Sequence, residues 1–269
     1  MAARRGLLLA LLAALLTAPA LAKSPPAPTP DEQAAITRAV ERGRLIYAFD
    51  QAAWHSTDEL IRKVPKTALS AIGGWVTEPR GDLLRVTYYG AEGETPHALF
   101  QADMRGAAVA QSHLFGEGED RTLSPETLAL IKARTAALRE GDGKARCTSG
   151  RFNVVVLPQG AGEPAAVYLL TPMETKGEYP FGGHYEVDVG PSGKVVSERA
   201  FTKACLNMTL PPPNPAGEPT AMVSHMLDPT PTEIHVFMSL WMGKPVVVLT
   251  GKKQAWAVNG DQISPIPLK

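Results

Sequence analysis

The alternation of apolar and polar positions changes period several times along this chain, and the changes divide it. From Asp31 the apolar residues Ile36, Ala39, Val40, Ile46, Phe49 and Ala53 keep a helical spacing, so a helix is expected from about Pro30 to Trp54, weakest at Gly43. Thr29-Pro30-Asp31-Glu32 supplies its start, with Thr29 as N-cap, Pro30 at the first helical position and Glu32 at the third. Ser56-Thr57-Asp58-Glu59 reads as another capping box, which predicts a break at Ser56 and a short second helix ended before Pro65.

Between Ala71 and Leu114 the period falls to two. Strands are expected at Ile72 to Thr77, Leu83 to Tyr89, His97 to Asp103 and Ala107 to His113, with turns at Pro79 to Asp82 and Gly90 to Thr95. A helix then starts at Ser124-Pro125-Glu126-Thr127, with Leu128, Ile131, Thr135 and Leu138 on one face. After Cys147 the strand signal returns at Phe152 to Leu157, Ala165 to Thr171, Gly183 to Val189, Val195 to Thr202, Ala221 to Leu227, Thr232 to Met242, Pro245 to Thr250 and Gln254 to Asn259. Pro191-Ser192-Gly193 and Gly251-Lys252-Lys253 read as hairpin tips, and the proline-dense stretch Pro211 to Pro219 as a loop.

Consecutive strands without intervening helices predict antiparallel sheets, so the fold class is α+β: N-terminal helices and one mid-chain helix packed on β-meander sheets. Helix followed by strands occurs twice, from Asp31 and from Pro125. That order leaves open two similar halves, although the matching residues are too few to claim a duplication. The expected division is residues 31–140 as a helix plus β-meander subdomain and residues 141–269 as an antiparallel β-rich subdomain.

The first 22 residues stand apart. Arg4 and Arg5 form a positive n-region, Leu7 to Leu16 an apolar h-region, and Ala20-Leu21-Ala22 a small-residue cleavage site, so residues 1–22 are read as a cleaved signal peptide. Pro19 interrupts an apolar run too short to span a bilayer, and no second run reaches that length. Residues 23–30, KSPPAPTP, are an extended tether. The expected location is therefore periplasmic or secreted, and the high Ala, Pro and Arg content fits a bacterial exported protein.

The whole chain balances 27 basic against 27 acidic residues, and loss of Arg4 and Arg5 with the signal leaves a mildly acidic body. No basic stripe appears, which argues against a nucleic-acid partner. In an oxidising compartment the only two cysteines, Cys147 and Cys205, are expected to join as a disulfide. They lack the Cys-x-x-Cys spacing of a redox pair.

The chain has no His-Glu-x-x-His helix, Gly-x-Ser-x-Gly elbow, Ser-x-x-Lys, Walker loop or dinucleotide fingerprint; Gly160-Ala161-Gly162 reads as a turn. The polar candidates are strand-borne. In His184-Tyr185-Glu186-Val187-Asp188, alternation sets His184, Glu186 and Asp188 on one face. They form either a cation or acid–base site, or a solvated face with Lys194 and Arg199 opposite. His225 and His235 flank Asp228-Pro229-Thr230-Pro231 and, with Glu233, make a two-histidine, one-carboxylate set if hairpin register pairs the histidines. A secondary candidate is Asp50, Trp54 and His55 near the expected helix break, where the alternative is Trp54 as a core anchor.

These residues lead to a non-catalytic exported binding or structural module for an envelope protein, peptide or small ligand. The rivals are a metal-dependent hydrolase using His184, Glu186, His225 and His235, and an envelope redox protein. No cofactor is specified, a divalent metal being the one open option.

Overall fold

The computed structural model describes residues 25–90, 95–158, 160, 162–210, 212, 220–251 and 254–267. The expected signal peptide, most of the 211–219 loop, the turn residues 91–94, Ala161 of the glycine turn and the Lys252-Lys253 tip lie outside them.

Helix α1 (Pro30–Lys63) starts at the expected capping box: Thr29 Oγ1 accepts the Glu32 N–H at 3.3 Å while the Glu32 carboxylate accepts the Thr29 N–H at 2.9 Å. It does not break at Ser56. The Ser56 and Thr57 hydroxyls bond back to the Ala53 carbonyl, at 3.1 and 2.7 Å, and both meet the Tyr88 hydroxyl at 2.8 Å. Side chains that would cap a new helix are thus spent on the preceding turn, which continues the old one to Lys63.

A meander follows, β1 (Ile72–Arg80), β2 (Leu83–Gly90), β3 (His97–Arg105) and β4 (Ala108–Leu114), antiparallel in that order. Helix α2 (Pro125–Gly141) is capped by Ser124, whose Oγ accepts the Thr127 N–H at 3.1 Å. A second antiparallel sheet takes β5 (Asn153–Leu157), β6 (Ala165–Leu170), β8 (Tyr185–Val189) and β9 (Val195–Ala200), and β7 (Glu178–Pro180) pairs with β10 (Asn207–Thr209) as a short ribbon. The molecule is α+β, as expected.

The last segment corrects the sequence reading. Thr232 to Met242 is not a strand: Glu233–Met242 is helix α3, joining β11 (Ala221–His225) to β12 (Val246–Thr250). Those strands pair in parallel, Val223 beside Val248, and β13 (Gln254–Asn259) and β14 (Gln262–Ile266) complete the sheet antiparallel. The segment is apolar on nearly all sides because α3 is buried on nearly all sides, and in that case neither period stands out. The expected hairpin at Asp228 to Pro231 is therefore the entry to a β–α–β crossover.

The second sheet is buried on both faces. Val155, Tyr168 and Leu170 point into a core shared with Ile46 and Phe49 of α1 and Val236 and Phe237 of α3. Val154, Val156, Val167, Leu169 and Val187 point the other way, onto Leu130, Ile131 and Ala137 of α2. A third cluster seats the far end of α1, through Ala52 and Leu60, on Val86, Tyr88 and Phe100 of the meander. No helix among the described residues is long and apolar enough to cross a membrane.

Candidate functional site

The Tyr168–Glu186 register pair of β6 and β8 sends both side chains toward the helices rather than to water. Glu186 is buried and forms an ion pair with Arg42 of α1; neither Lys194 nor its cross-strand neighbour Arg199 pairs with it. Alternation thus sorted the face correctly, but α1 covers it. Gly43, next to Arg42, permits that cover: a Cβ there would lie 2.5 Å from Val236 Cβ and 2.8 Å from the Glu233 carbonyl oxygen. The bare backbone lets α3 approach and carries Glu233 to the same spot.

The Tyr168 hydroxyl is the hub. It accepts from Arg42 Nη1 at 3.1 Å and stands 3.2 Å from Glu186 Oε1 and 3.1 Å from Glu233 Oε1. A phenol has one proton to donate, so it satisfies one carboxylate at a time. Burial, reinforced by the Glu233 charge, raises the Glu186 carboxyl above its usual range. Burial and then the two carboxylates push the Tyr168 phenol well above its own, keeping it neutral. Two carboxyl groups thus share one hydroxyl under a guanidinium.

Arg42, Glu186 and Glu233 form the floor of a polar cleft of about 360 Å³ between α1, β8 and the loop entering α3. Arg38, one helical turn before Arg42, sits at the rim, exposed and without a polar partner among the described residues. On the other side Asp228 accepts from Arg199 Nη2 at 2.9 Å and from His225 Nε2 at 2.7 Å. Burial would raise the Asp228 carboxyl, but the His225 hydrogen bond and the Arg199 charge outweigh it and hold it low. Asp188 lines the cleft too, accepting from Ser197 at 2.5 Å.

The histidines do come together in part. His225 and His235 meet edge to face with ring centroids 4.8 Å apart, through the loop between β11 and α3 and not through a hairpin. His235 Nδ1 accepts the Thr232 N–H at 3.0 Å as part of the α3 cap, and burial, then the neighbouring His225, lowers its pKa to about 3. His184 has no free nitrogen: Nδ1 accepts the Thr171 N–H at 3.2 Å and Nε2 donates to the Pro180 carbonyl at 2.8 Å. Burial holds it neutral, with a pKa of about 4. Among the described residues no group of three or more His, Cys, Asp or Glu side chains is arranged to hold a metal ion. His184, Glu186, His225 and His235 therefore do not form one donor set.

Asp50 and Trp54 share a helix face and line a different cleft, while His55 stacks on Trp54. Trp54 is no core anchor; it is 53% exposed. Sequence reasoning missed Arg38, Arg42 and Tyr168. Two signals were present: arginines at i and i+4 on one helix face, and a tyrosine inside the apolar run of β6, where a buried phenol needs a partner.

No known protein family, curated protein or solved structure matches this chain.

Proposed function

We propose that the chain is an exported binding protein of the cell envelope whose polar cleft takes a small zwitterion, an amino acid or the end of a short peptide. The observation that carries this reading is the separation of charge within the cleft: an Arg38 at the rim without a polar partner among the described residues, against Glu186 and Glu233 on the floor. A ligand carboxylate meets Arg38, and its ammonium donates to Glu186 and Glu233, whose remaining lone pairs the one Tyr168 hydroxyl cannot satisfy together. Export is supported by the signal-like first 22 residues and by Cys147 and Cys205, which lie at disulfide distance with Cα atoms 5.2 Å apart.

Calorimetric titration of the mature protein with glycine, lysine, glutamate and alanyl-alanine tests the reading. Saturable binding of at least one zwitterion is expected, weakened about tenfold in Arg38→Ala and in Glu233→Gln. Absence of binding, or binding indifferent to both substitutions, overturns it. N-terminal sequencing of secreted material is expected to begin at Lys23; a start at Met1 removes the export half.

A further inference from the structure

A second cleft, of about 450 Å³, opens farther along the same two helices. Its wall on α1 begins at Asp50, roughly 18 Å beyond Arg38 at the helical rise per residue. Three of the four tryptophans of the chain line it: Trp54 of α1, Trp75 of β1 and Trp241 at the end of α3. The fourth, Trp256, is wholly buried in the core.

Each indole is backed on one side by protein. Trp54 stacks on His55 at 4.9 Å, Trp75 carries the Arg134 guanidinium at 5.2 Å, and Trp241 stacks on Phe237 at 5.5 Å with Tyr179 against it edge-on. Trp75 and Trp241 are packed in place by these partners, so little of their side-chain freedom is lost on binding. Trp54 contributes nothing to a core that would explain its exposed indole.

Among these rings sits one carboxylate. Asp50 makes no ion pair among the described residues, and its hydrogen bond comes from the neighbouring Gln51 amide at 3.3 Å. Arg134, whose guanidinium lies over the Trp75 ring, does not line the cleft and is bound to the Tyr89 hydroxyl at 3.2 Å. A half-buried carboxylate that faces three indoles without a counter-charge is unfavourable, and a cation entering the cleft supplies the missing charge.

We infer that this cleft binds a small organic cation, a methylated or similarly bulky ammonium whose charge meets Asp50 and whose alkyl groups lie against Trp54, Trp75 and Trp241. Indole faces attract such a cation through their quadrupole, and a weakly hydrated ammonium gives up little water to enter. A neutral sugar would stack on the same rings but leave Asp50 uncompensated.

The test is tryptophan fluorescence of the disulfide-bonded protein titrated with choline and with 3,3-dimethylbutan-1-ol, which has the same shape without the charge. Saturable binding of choline is expected, at least about tenfold tighter than the neutral analogue. Asp50→Asn should bring choline down to the level of the alcohol, and Trp54→Ala, at an exposed position that the fold does not need, should weaken both. Choline affinity should also fall as pH is lowered through about 6, where Asp50 takes up a proton. Equal binding of the two compounds, no saturation by choline, or an Asp50→Asn protein that binds choline unchanged overturns the inference, and a glucose response that survives Asp50→Asn reassigns the cleft to a saccharide. Arg38→Ala lies outside this cleft and should leave choline binding intact, so this result and that of the zwitterion titration fail separately.

Discussion

Asp50 costs the protein stability. Burial raises its carboxyl from 3.8 to about 6, and the Gln51 amide offsets only part of that. Between those values the native chain holds a proton that the unfolded chain has lost, so the contribution is favourable in acid and is lost as pH rises through about 6. At neutral pH the full shift corresponds to about 3 kcal/mol, and the water that still reaches this half-buried side chain holds the penalty below that. Asp50→Asn should therefore be as stable as the parent at about pH 4 and more stable by about 2–3 kcal/mol at about pH 8, measured by urea unfolding at both. A less stable variant at the higher pH would show that the carboxylate has a partner in the fold. His184 and His235 act with the opposite sign. Their pKa values, about 4 and about 3, lie below the ordinary 6.5, so their contribution is complete above 6.5 and declines as pH falls below it. Variant and parent must accordingly be compared at each pH, where the histidine contribution cancels.

At the scale of elements, the crossing of α1 and α3 decides where the polar cleft lies, and Gly43 decides the crossing. Its helical spacing marks Gly43 only as a weak point, since glycine in a helix interior costs about 1 kcal/mol against alanine. The packing reverses the sign: an added Cβ at 2.5 Å from Val236 and 2.8 Å from a backbone oxygen has no flexible atom to push aside. Overpacking of this kind costs about 1–3 kcal/mol, more than the propensity gain, so Gly43→Ala should lower the melting temperature and weaken zwitterion binding as Glu233 shifts. A raised melting temperature would mean that α3 yields easily. The same crossing shows what could be read beforehand. Amphipathic elements with ordinary caps, such as the start of α1, the meander and α2, announce themselves by period. Helix α3 does not, because its cap uses His235 where glutamate or glutamine is usual and its surface is buried nearly all round. Ser56 misled for the complementary reason, a capping residue whose hydroxyl bonds backward to Ala53.

For the whole molecule, the convergence of Arg42, Tyr168, Glu186 and Glu233 depends on sheet register and helix crossing together, which no local pattern encodes. The two cysteines are different, because their number and the expected export were enough to predict the pair. The bridge ties the loop after α2 to the loop before β10, across a sequence separation of 58. A closed loop of that size restricts the unfolded chain by about 4 kcal/mol in the chain-entropy account, whereas little of the native core touches either cysteine. If the bridge acts on the unfolded state, Cys147→Ser with Cys205→Ser should lower unfolding stability by about 4 kcal/mol and also steepen the dependence on urea, since the freed chain exposes more surface. Ligand binding at both clefts should survive under conditions where the variant stays folded, because neither cleft is lined by a cysteine. A variant that keeps the parent's urea midpoint and slope would show that the loop is already held together when the chain unfolds.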